Sequence, residues 1–369
     1  MKILQLTYES LGSPFGFGGA GIRAYEIYKR LKNRHDITLL SFKYPGVRDG
    51  EIDGLRHVFV GTESKSLTKS VLVYTLKAAQ YVKRYGDDFD VIVENFLPAT
   101  PFFSRFITRT PVILQIQGIM GLHSIKKFNP LYGLPMYIME KIYPRLYDRF
   151  IFVTDLNADR LIKKSKKSLI IPNGVNRELL HVDKNREEDY ILFFSRIDTY
   201  TKGLDILIDA FRLVSDKFID IRLIFAGYEF NSTDELFEVL KEKHRSRVSY
   251  AGFVSGEEKI KLLSRAKVFV FPSRHEAHPV SVLEALACGK AVIVSDIPEL
   301  RHIGEKRIGL TFKSGSSLDL SEKLSLLLED SELRQSLGDR GRKYASQFLW
   351  DDVSLRFEKF LFNVVGREG

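Results

Sequence analysis

The chain of 369 residues lacks the features of disulfide-bonded, cysteine-zinc or membrane-spanning proteins. Its single cysteine, Cys288, excludes internal disulfides and zinc sites built from cysteine, and its apolar surroundings indicate a buried packing role. The longest uncharged stretch, 110–125, has 16 residues and includes Gln, Gly and His, so it is too short and too polar to span a bilayer. No signal peptide precedes the first apolar strand, which begins at Lys2. We therefore expect a cytoplasmic protein, either soluble or peripheral on the inner face of the membrane.

Composition and charge are those of a globular protein with one basic half. Hydrophobic residues make up 44% of the chain and charged residues 28%, and the length suggests two or three domains. Residues 1–170 carry a net charge of +11, whereas residues 171–369 carry −2. The positive field of the first half points to an anionic surface or partner there. Binding of nucleic acid or of an anionic membrane is therefore one candidate function.

Apolar runs alternate with helical stretches along the whole chain. This alternation predicts an α/β fold with doubly wound parallel sheets. The predicted strands lie at 2–8, 36–42, 57–60, 90–94, 112–116, 150–153, 169–171, 190–194, 221–226, 248–253, 268–271 and 291–294. The first turn is rich in glycine without the G-x-G-x-x-G spacing, and the second strand ends in Ser41 and Phe42 rather than in an acid. The pattern therefore argues against a nicotinamide dinucleotide site.

The stretch 64–85 predicts an amphipathic helix. Its apolar face comprises Leu67, Val71, Tyr74, Ala78 and Val82, and its opposite face carries Lys65, Lys69, Lys77, Lys83 and Arg84. Such a helix could lie on a membrane surface, or it could cover a sheet with its basic face in solvent. We favour the sheet-covering interpretation.

The stretch 271–295 predicts a strand, a loop, a helix and a second strand. Pro279 suits the first turn of the helix, and Gly289 its end. The first amides of the helix, on Val280, Ser281 and Val282, would form an anion site at its positive end. Two carboxylates bracket that site, Glu276 in the loop and Glu284 on the helix.

The run E-A-H-P-V-S-V-L-E, followed by A-L-A-C-G-K, resembles the E-x7-E signature of retaining glycosyltransferases of the GT-B fold. Within that fold the chain is most similar to family 4, also described as glycosyl transferases group 1. The resemblance implies two Rossmann-like domains facing a central cleft. We expect an acceptor-side domain over 1–172, completed by a last helix within 351–369, and a nucleotide-sugar-binding domain over 173–350.

The resemblance also implies roles for residues of the second half. Arg196 and Lys202 would hold the donor diphosphate together with the amides of Val280, Ser281 and Val282, after Pro279. Glu276 would face the transferred sugar, Glu284 would accept from the ribose hydroxyls, and Val254 would lie beside the nucleobase. Among these, Glu276, Arg196 and Lys202 are the predicted catalytic residues. Because no Asp-x-Asp pair accompanies them, we expect no metal and no cofactor apart from the donor itself.

In the first half, Gly18 and Gly19 lie in a loop whose counterpart approaches the donor diphosphate, although a plain flexible turn explains them equally well. Gln117 stands where relatives often have histidine, which suggests hydrogen bonding to the sugar rather than a general-base role. Asn173 lies in the segment similar to the interdomain linker and is a candidate on the acceptor or sugar side.

These residues predict a retaining hexosyltransferase that uses a UDP- or GDP-sugar and a glycan, lipid-linked or small-molecule acceptor. A GT-B nucleotide-sugar epimerase or a phosphorylase is the enzymatic alternative. A protein that only binds nucleic acid or an anionic membrane is the non-enzymatic alternative. The diphosphate-binding residues argue against the last, so we expect no nucleic-acid partner, whereas contact with an anionic membrane through the basic half stays open.

Overall fold

The computed structural model describes residues 1–10, 12–13, 16–64, 66–127, 129–156, 158–161, 167–183, 186–229, 233–238 and 242–366. The chain divides into two compact units, residues 1–173 with 350–369 and residues 174–349. The boundaries expected from the sequence, 172/173 and 350/351, each lie one residue from this division.

The first unit is built on an eight-stranded sheet of order β3-β4-β2-β1-β5-β6-β7-β8, parallel except for the β3–β4 pair. Its strands are β1 (Lys2–Leu6), β2 (Asp36–Phe42), β3 (Gly50–Ile52), β4 (Leu55–Val60), β5 (Val91–Asn95), β6 (Val112–Ile116), β7 (Arg149–Phe152) and β8 (Lys167–Ile170). Its helices are α1 (Gly19–Leu31), α2 (Leu67–Tyr85), α3 (His123–Lys127), α4 (Pro130–Ile142) and α5 (Ala158–Leu161), with 3-10 turns at Gly86–Asp88, Ser104–Phe106 and Tyr143–Leu146.

The second unit has a six-stranded, wholly parallel sheet of order β11-β10-β9-β12-β13-β14. After a 3-10 turn at Arg177–His181, its strands are β9 (Glu188–Phe194), β10 (Arg222–Ala226), β11 (Val248–Tyr250), β12 (Ala266–Phe271), β13 (Val292–Ser295) and β14 (Leu310–Phe312). Its helices are α6 (Thr199–Lys202), α7 (Leu204–Ser215), α8 (Thr233–Glu238), α9 (Glu242–Arg245), α10 (Gly256–Arg265), α11 (Val280–Ala287), α12 (His302–Glu305), α13 (Ser317–Glu329) and α14 (Ser331–Ala345).

The last helix, α15 (Trp350–Val365), belongs to the first unit and packs on α1. The rings of Tyr28 and Phe357 meet edge to face with centroids 5.7 Å apart. Arg30 Nε lies 2.7 Å from Asp351 Oδ1 at the rim of this contact. The helix thus covers an apolar face of α1 that would be exposed if residues 1–173 were alone.

Helix α2 covers the first sheet, in agreement with the favoured interpretation of its sequence. Val71, Tyr74, Ala78 and Val82 are buried, and Tyr74 donates a hydrogen bond to the Leu40 carbonyl at 2.8 Å. Four of the predicted basic residues, Lys69, Lys77, Lys83 and Arg84, are exposed, whereas Lys65 lies outside the described residues. Among the described residues, no helix is long and apolar enough to cross a membrane.

Candidate active site

The strand order of the second unit creates a crevice between β9 and β12. The chain runs outward from β9 to β10 on one side and from β12 to β13 on the other, so successive connections leave these two neighbouring strands in opposite directions. Ligands of doubly wound sheets bind at the carboxyl ends of the strands at such a switch point. The loop after β9 carries Arg196 and leads into the short helix α6, which ends at Lys202, and the loop after β12 carries Glu276.

The two loops are in direct contact. Thr201, at the end of the first loop, accepts hydrogen bonds at its carbonyl from the Arg274 amide and from Ser273 Oγ, both at 2.9 Å. At Gly203, where φ is +65°, a Cβ atom would lie 2.1 Å from the Pro272 carbonyl oxygen. Only glycine permits both this left-handed backbone and this close approach. The local sequence therefore fixes the distance between the loops.

Lys202 and Glu276 form an ion pair where the loops meet. Lys202 Nζ lies 2.5 Å from Glu276 Oε1, and the two side chains are only 11% and 9% exposed. Ser273 Oγ lies 2.7 Å from the same carboxylate oxygen. The ammonium also lies 5.0 Å from the centre of the Phe271 ring. Both predicted catalytic groups are thus held in a defined, nearly water-free position.

Arg196 is the more exposed cation of the β9 loop. Its side chain is 36% exposed, and its Nη2 atom lies 3.4 Å from Asp198 Oδ2. Asp198 is buried and caps α6 by accepting from the Thr201 amide at 3.1 Å. The buried carboxylate therefore orients the guanidinium while leaving part of it accessible to a ligand.

Helix α11 begins beside the Glu276 loop, with Pro279 at its N-cap rather than in its first turn. No side chain of the described chain caps this end, and its first turn contains no acidic residue. Val280 and Val282 are buried, and Ser281 between them is half-buried. The positive end of the helix therefore has no acidic residue in its first turn, and the anion site on these amides stays a prediction.

Glu284 pairs with a lysine that sequence reasoning missed. Its Oε1 atom lies 2.7 Å from Lys259 Nζ, and the carboxylate side chain is 8% exposed. Lys259 is on α10, which follows the loop containing the buried Val254. The two carboxylates of the E-x7-E run therefore contact different lysines, Glu276 near the β9 loop and Glu284 near α10.

In the first unit, a carboxylate already occupies the N-terminal end of α1. Glu9 Oε2 accepts from the Gly21 amide at 2.5 Å, and a Cβ atom on Gly18 would lie 2.6 Å from Glu9 Oε1. A diphosphate could approach Gly18 and Gly19 at this end only if Glu9 moved, because two anions would repel each other. The predicted diphosphate role of these glycines and the plain-turn alternative both stay open.

Asn173 is engaged by an arginine that the sequence analysis overlooked. Arg23 of α1 is wholly buried and donates to Asn173 Oδ1 at 3.1 Å, to the Pro172 carbonyl at 2.8 Å and to Gln115 Oε1 at 3.2 Å. Burial lowers the pKa of Arg23 to about 9. The sequence could have indicated this buried position, because Arg23 lies on the same helix face as Ile27 and Leu31. A charged residue on a buried face is almost always paired. Asn173 therefore has a structural partner in addition to its predicted role.

Two further residues complete the comparison with the sequence. Gln117 follows β6, and its buried amide nitrogen has no hydrogen-bond partner among the described residues. Cys288 is fully buried, and burial raises the pKa of its thiol to about 12, consistent with a packing role. Within the described ranges no cluster of three or more His, Cys, Asp or Glu side chains could hold a metal.

Two family models match the chain in succession. "Glycosyltransferase Family 4" matches residues 17–179, and "Glycosyl transferases group 1" matches residues 176–344. The fold is that of sucrose-phosphate synthase from Thermosynechococcus elongatus, with a TM-score of 0.82, 18% identity and 99% of each chain covered. The chain is a glycosyltransferase made of a Family 4 domain and a group 1 domain, and its fold is GT-B.

Two relatives of this glycosyltransferase are similar over most of their length. The N,N'-diacetylbacillosaminyl-diphospho-undecaprenol alpha-1,3-N-acetylgalactosaminyltransferase of Campylobacter jejuni is 29% identical, covering 68% of this chain and 70% of the relative. An uncharacterized glycosyltransferase of Methanocaldococcus jannaschii is 29% identical, covering 97% and 98%. The predicted fold class and enzyme class are confirmed. The epimerase, phosphorylase and binding-only alternatives are not favoured.

Proposed function

We propose that this glycosyltransferase moves a hexosyl unit, with retention of anomeric configuration, from a UDP- or GDP-sugar to a glycan, lipid-linked or small-molecule acceptor. The observation that carries the proposal is the Lys202–Glu276 pair at the β9/β12 switch point. It combines a cation for a diphosphate with a carboxylate for the sugar at the position where doubly wound folds bind nucleotides.

The departing nucleoside diphosphate is the group that gains negative charge in this reaction. Arg196, Lys202 and the amides of Val280, Ser281 and Val282 would receive that charge. Each charge-assisted hydrogen bond contributes about 1.5–3 kcal/mol. Donors that are already fixed before the reaction stabilise the transition state without reorganising. These cations would serve in place of a metal ion, so we propose transfer without an essential metal.

The two carboxylates would act on different parts of the donor. Glu276, oriented by Lys202 and Ser273, would bind sugar hydroxyls and stabilise positive charge at the anomeric carbon. Glu284, set against Lys259 near the Val254 loop, would accept hydrogen bonds from the ribose. The leaving group and the acceptor would use the same face of the sugar, without a covalent enzyme intermediate.

The first unit would hold the acceptor. Gln117 would donate to the sugar or to the acceptor with its buried amide nitrogen. The Campylobacter relative, whose name describes an undecaprenol-linked acceptor, supports an acceptor carried by a lipid diphosphate. The basic residues of the first half fit such an anionic substrate, and they favour a peripheral position on the cytoplasmic face of the membrane.

Donor binding is tested by thermal unfolding with a panel of nucleoside diphosphates and nucleotide sugars, each with magnesium and with EDTA. A ligand present at about 100 times its Kd should stabilise the folded state by about 2.7 kcal/mol. At the same ligand concentration, Arg196→Ala should reduce this stabilisation to about 0.3–1.4 kcal/mol, because the loss of one charge-assisted bond raises the Kd about 10- to 150-fold. Arg212→Ala should retain the full shift, because Arg212 pairs with Asp209 on the surface of α7.

Product analysis then tests the reaction. The anomeric configuration of the new linkage, read by NMR, should match that of the donor. An inverted product, a requirement for magnesium, or conversion of the donor without an acceptor would each contradict a part of the proposal. A panel without any shift in the wild-type protein would contradict the donor site itself.

A further inference from the structure

Helix α4 turns an apolar face toward solvent. Leu131, Leu134, Ile138 and Ile142 are spaced three, four and four residues apart, so they line one side of the helix. Their exposed fractions are 73%, 49%, 45% and 50%. A surface helix of a globular protein normally buries its apolar side and exposes its polar side. In α4 four aliphatic side chains are exposed, and Glu140 is buried.

Polar contacts on its inner side fix the orientation of α4. Glu140 is almost fully buried, and its two carboxylate oxygens accept from the amides of Met120 and Gly121, each at 2.8 Å. At Gly133 a Cβ atom would lie 2.7 Å from the Ser124 carbonyl, so the helix approaches that backbone more closely than any other residue would permit. Turning the leucines inward would break both contacts.

The apolar surface continues beyond the end of α4. Tyr143, the next residue, is buried and donates to Glu94 Oε1 at 2.5 Å. Its hydroxyl accepts from the Phe103 amide at 2.7 Å. Phe103 is 40% exposed, and Phe106, at the end of the 3-10 turn that follows it, is 61% exposed. The Phe103 ring, whose centroid lies 5.2 Å from that of Tyr143, therefore lies near the carboxyl end of α4.

The part of the chain that contains α4 is mostly positive. Residues 101–150 contain seven basic and two acidic residues, and one of the acids is the buried Glu140. Lys141 and Arg145 are exposed at the carboxyl end of the helix. At 1.5 Å per residue, a helix of 13 residues is about 20 Å long, shorter than the roughly 30 Å hydrocarbon core of a bilayer. A short helix with an apolar face and a basic rim lies in the plane of the membrane interface.

We propose that α4 docks the protein on an anionic lipid bilayer, with Leu131, Leu134, Ile138 and Ile142 in the acyl boundary and with Lys141 and Arg145 at the lipid phosphates. The charge decides against a second copy of the chain. A symmetric dimer through this face would bring the same cations together, whereas an anionic bilayer neutralises them. The surface is distinct from α2, which buries its own apolar face in the first unit.

Flotation with vesicles of equimolar phosphatidylglycerol and phosphatidylcholine tests the proposal on the full chain. The variant Leu134→Ser/Ile138→Ser should bind at least about tenfold more weakly, because two exposed aliphatic side chains no longer enter the acyl boundary. The matched control is Leu72→Ser/Leu76→Ser on α2, whose leucines are 58% and 67% exposed. The control should bind within about twofold of the wild type, since partition follows the apolar area that inserts.

The electrostatic part has its own variant. Lys141→Gln/Arg145→Gln should lose about fivefold in affinity per charge on anionic vesicles and should bind pure phosphatidylcholine vesicles as the wild type does. All variants should keep the wild-type unfolding temperature and the shift with nucleoside diphosphate, because the substituted side chains are exposed and lie outside the donor site. A failure of docking is thereby distinguished from a failure of the donor site.

Three outcomes would overturn the proposal. The first is no flotation of the wild type at low salt, and the second is an equal loss of binding in the α2 control. The third is a dimer, detected by light scattering, that the α4 variant converts to monomer. That result would assign the apolar face to a second copy of the chain.

Discussion

Replacing Lys202 by methionine separates the structural role of the Lys202–Glu276 pair from its proposed role in the reaction. Methionine retains most of the side-chain volume beside the Phe271 ring but removes the ammonium. In the ligand-free protein, Glu276 then keeps Ser273 as a hydrogen-bond partner but loses its counter-ion.

The loss of stability follows from burial. Both side chains are about one-tenth exposed, so Lys202→Met leaves a carboxylate without its cation in a nearly dry position. Removing one partner of a buried pair costs 3–5 kcal/mol, and we expect about 3 kcal/mol because the serine hydroxyl remains. The double variant Lys202→Met/Glu276→Gln leaves no uncompensated charge and should recover most of this loss, as measured by urea unfolding.

The loss of activity has a different cause and should not be recovered. A charge-assisted hydrogen bond to the departing diphosphate is worth about 1.5–3 kcal/mol, so kcat/KM should fall about 10- to 150-fold in Lys202→Met. The double variant should remain at least as impaired, because glutamine at position 276 restores neither the cation nor the carboxylate. Isothermal titration with the nucleoside diphosphate should show a parallel loss of affinity.

Two results would refute the reasoning. The first is a kcat/KM of Lys202→Met within about threefold of the wild type, because the loss of one charge-assisted hydrogen bond should lower kcat/KM by at least about tenfold. The second is a double variant that regains activity together with stability. Either result would mean that Lys202 only neutralises Glu276 and does not contact the diphosphate.

Three further predictions concern Glu284, Glu94 and Gly203. Glu284→Gln should weaken the binding of nucleoside diphosphates about tenfold but leave the binding of free pyrophosphate unchanged in titration calorimetry, because the proposed contact is to the ribose. Burial raises the pKa of Glu94 to about 7, so the protonated acid stabilises the folded state fully below its unfolded pKa, and this stabilisation is lost as the pH rises through 7. Between about pH 4.5 and 7 the wild type should therefore lose about 3 kcal/mol relative to Glu94→Gln in urea unfolding, and a difference that does not change with pH would contradict the assignment. Gly203→Ala should cost more than about 2 kcal/mol because of its clash with the Pro272 carbonyl, whereas Gly252→Ala, with φ +76° and open space around it, should cost only about 1 kcal/mol in the same assay.

The sequence predicts the second unit well because its signals are local. The strand, loop and helix around Glu276 and Glu284 lie within one continuous run, and apolar runs of four or more residues mark most of the strands. Strands β3 and β14 were missed because three residues are too few to show an alternation, and β11, which also has three residues, was predicted too long, at 248–253. Helix α4 was not predicted as a helix, since Pro135 interrupts its interior and its exposed side is apolar.

Partners distant in sequence could not be predicted from pattern. Glu284 and Lys259 are 25 positions apart, and Arg23 and Asn173 are 150 positions apart. A periodic pattern shows which face of a helix is buried, but the residue that meets that face depends on the order of strands in the sheet. The net charge of residues 1–170 could likewise be counted from the sequence. That count does not show which helix of the basic half exposes apolar side chains.

Helix α15 has a consequence for how the chain folds during synthesis. Residues 1–173 emerge from the ribosome without the helix that covers the apolar side of α1, because that helix is translated after the whole second unit. The second unit is one continuous segment, so it can fold as soon as it has emerged. Domains usually fold in order from the amino terminus, but here the second unit can fold before the first is complete. The apolar side of α1 therefore stays exposed until α15 has been synthesised. In a chain that stops at residue 349 it would stay exposed permanently.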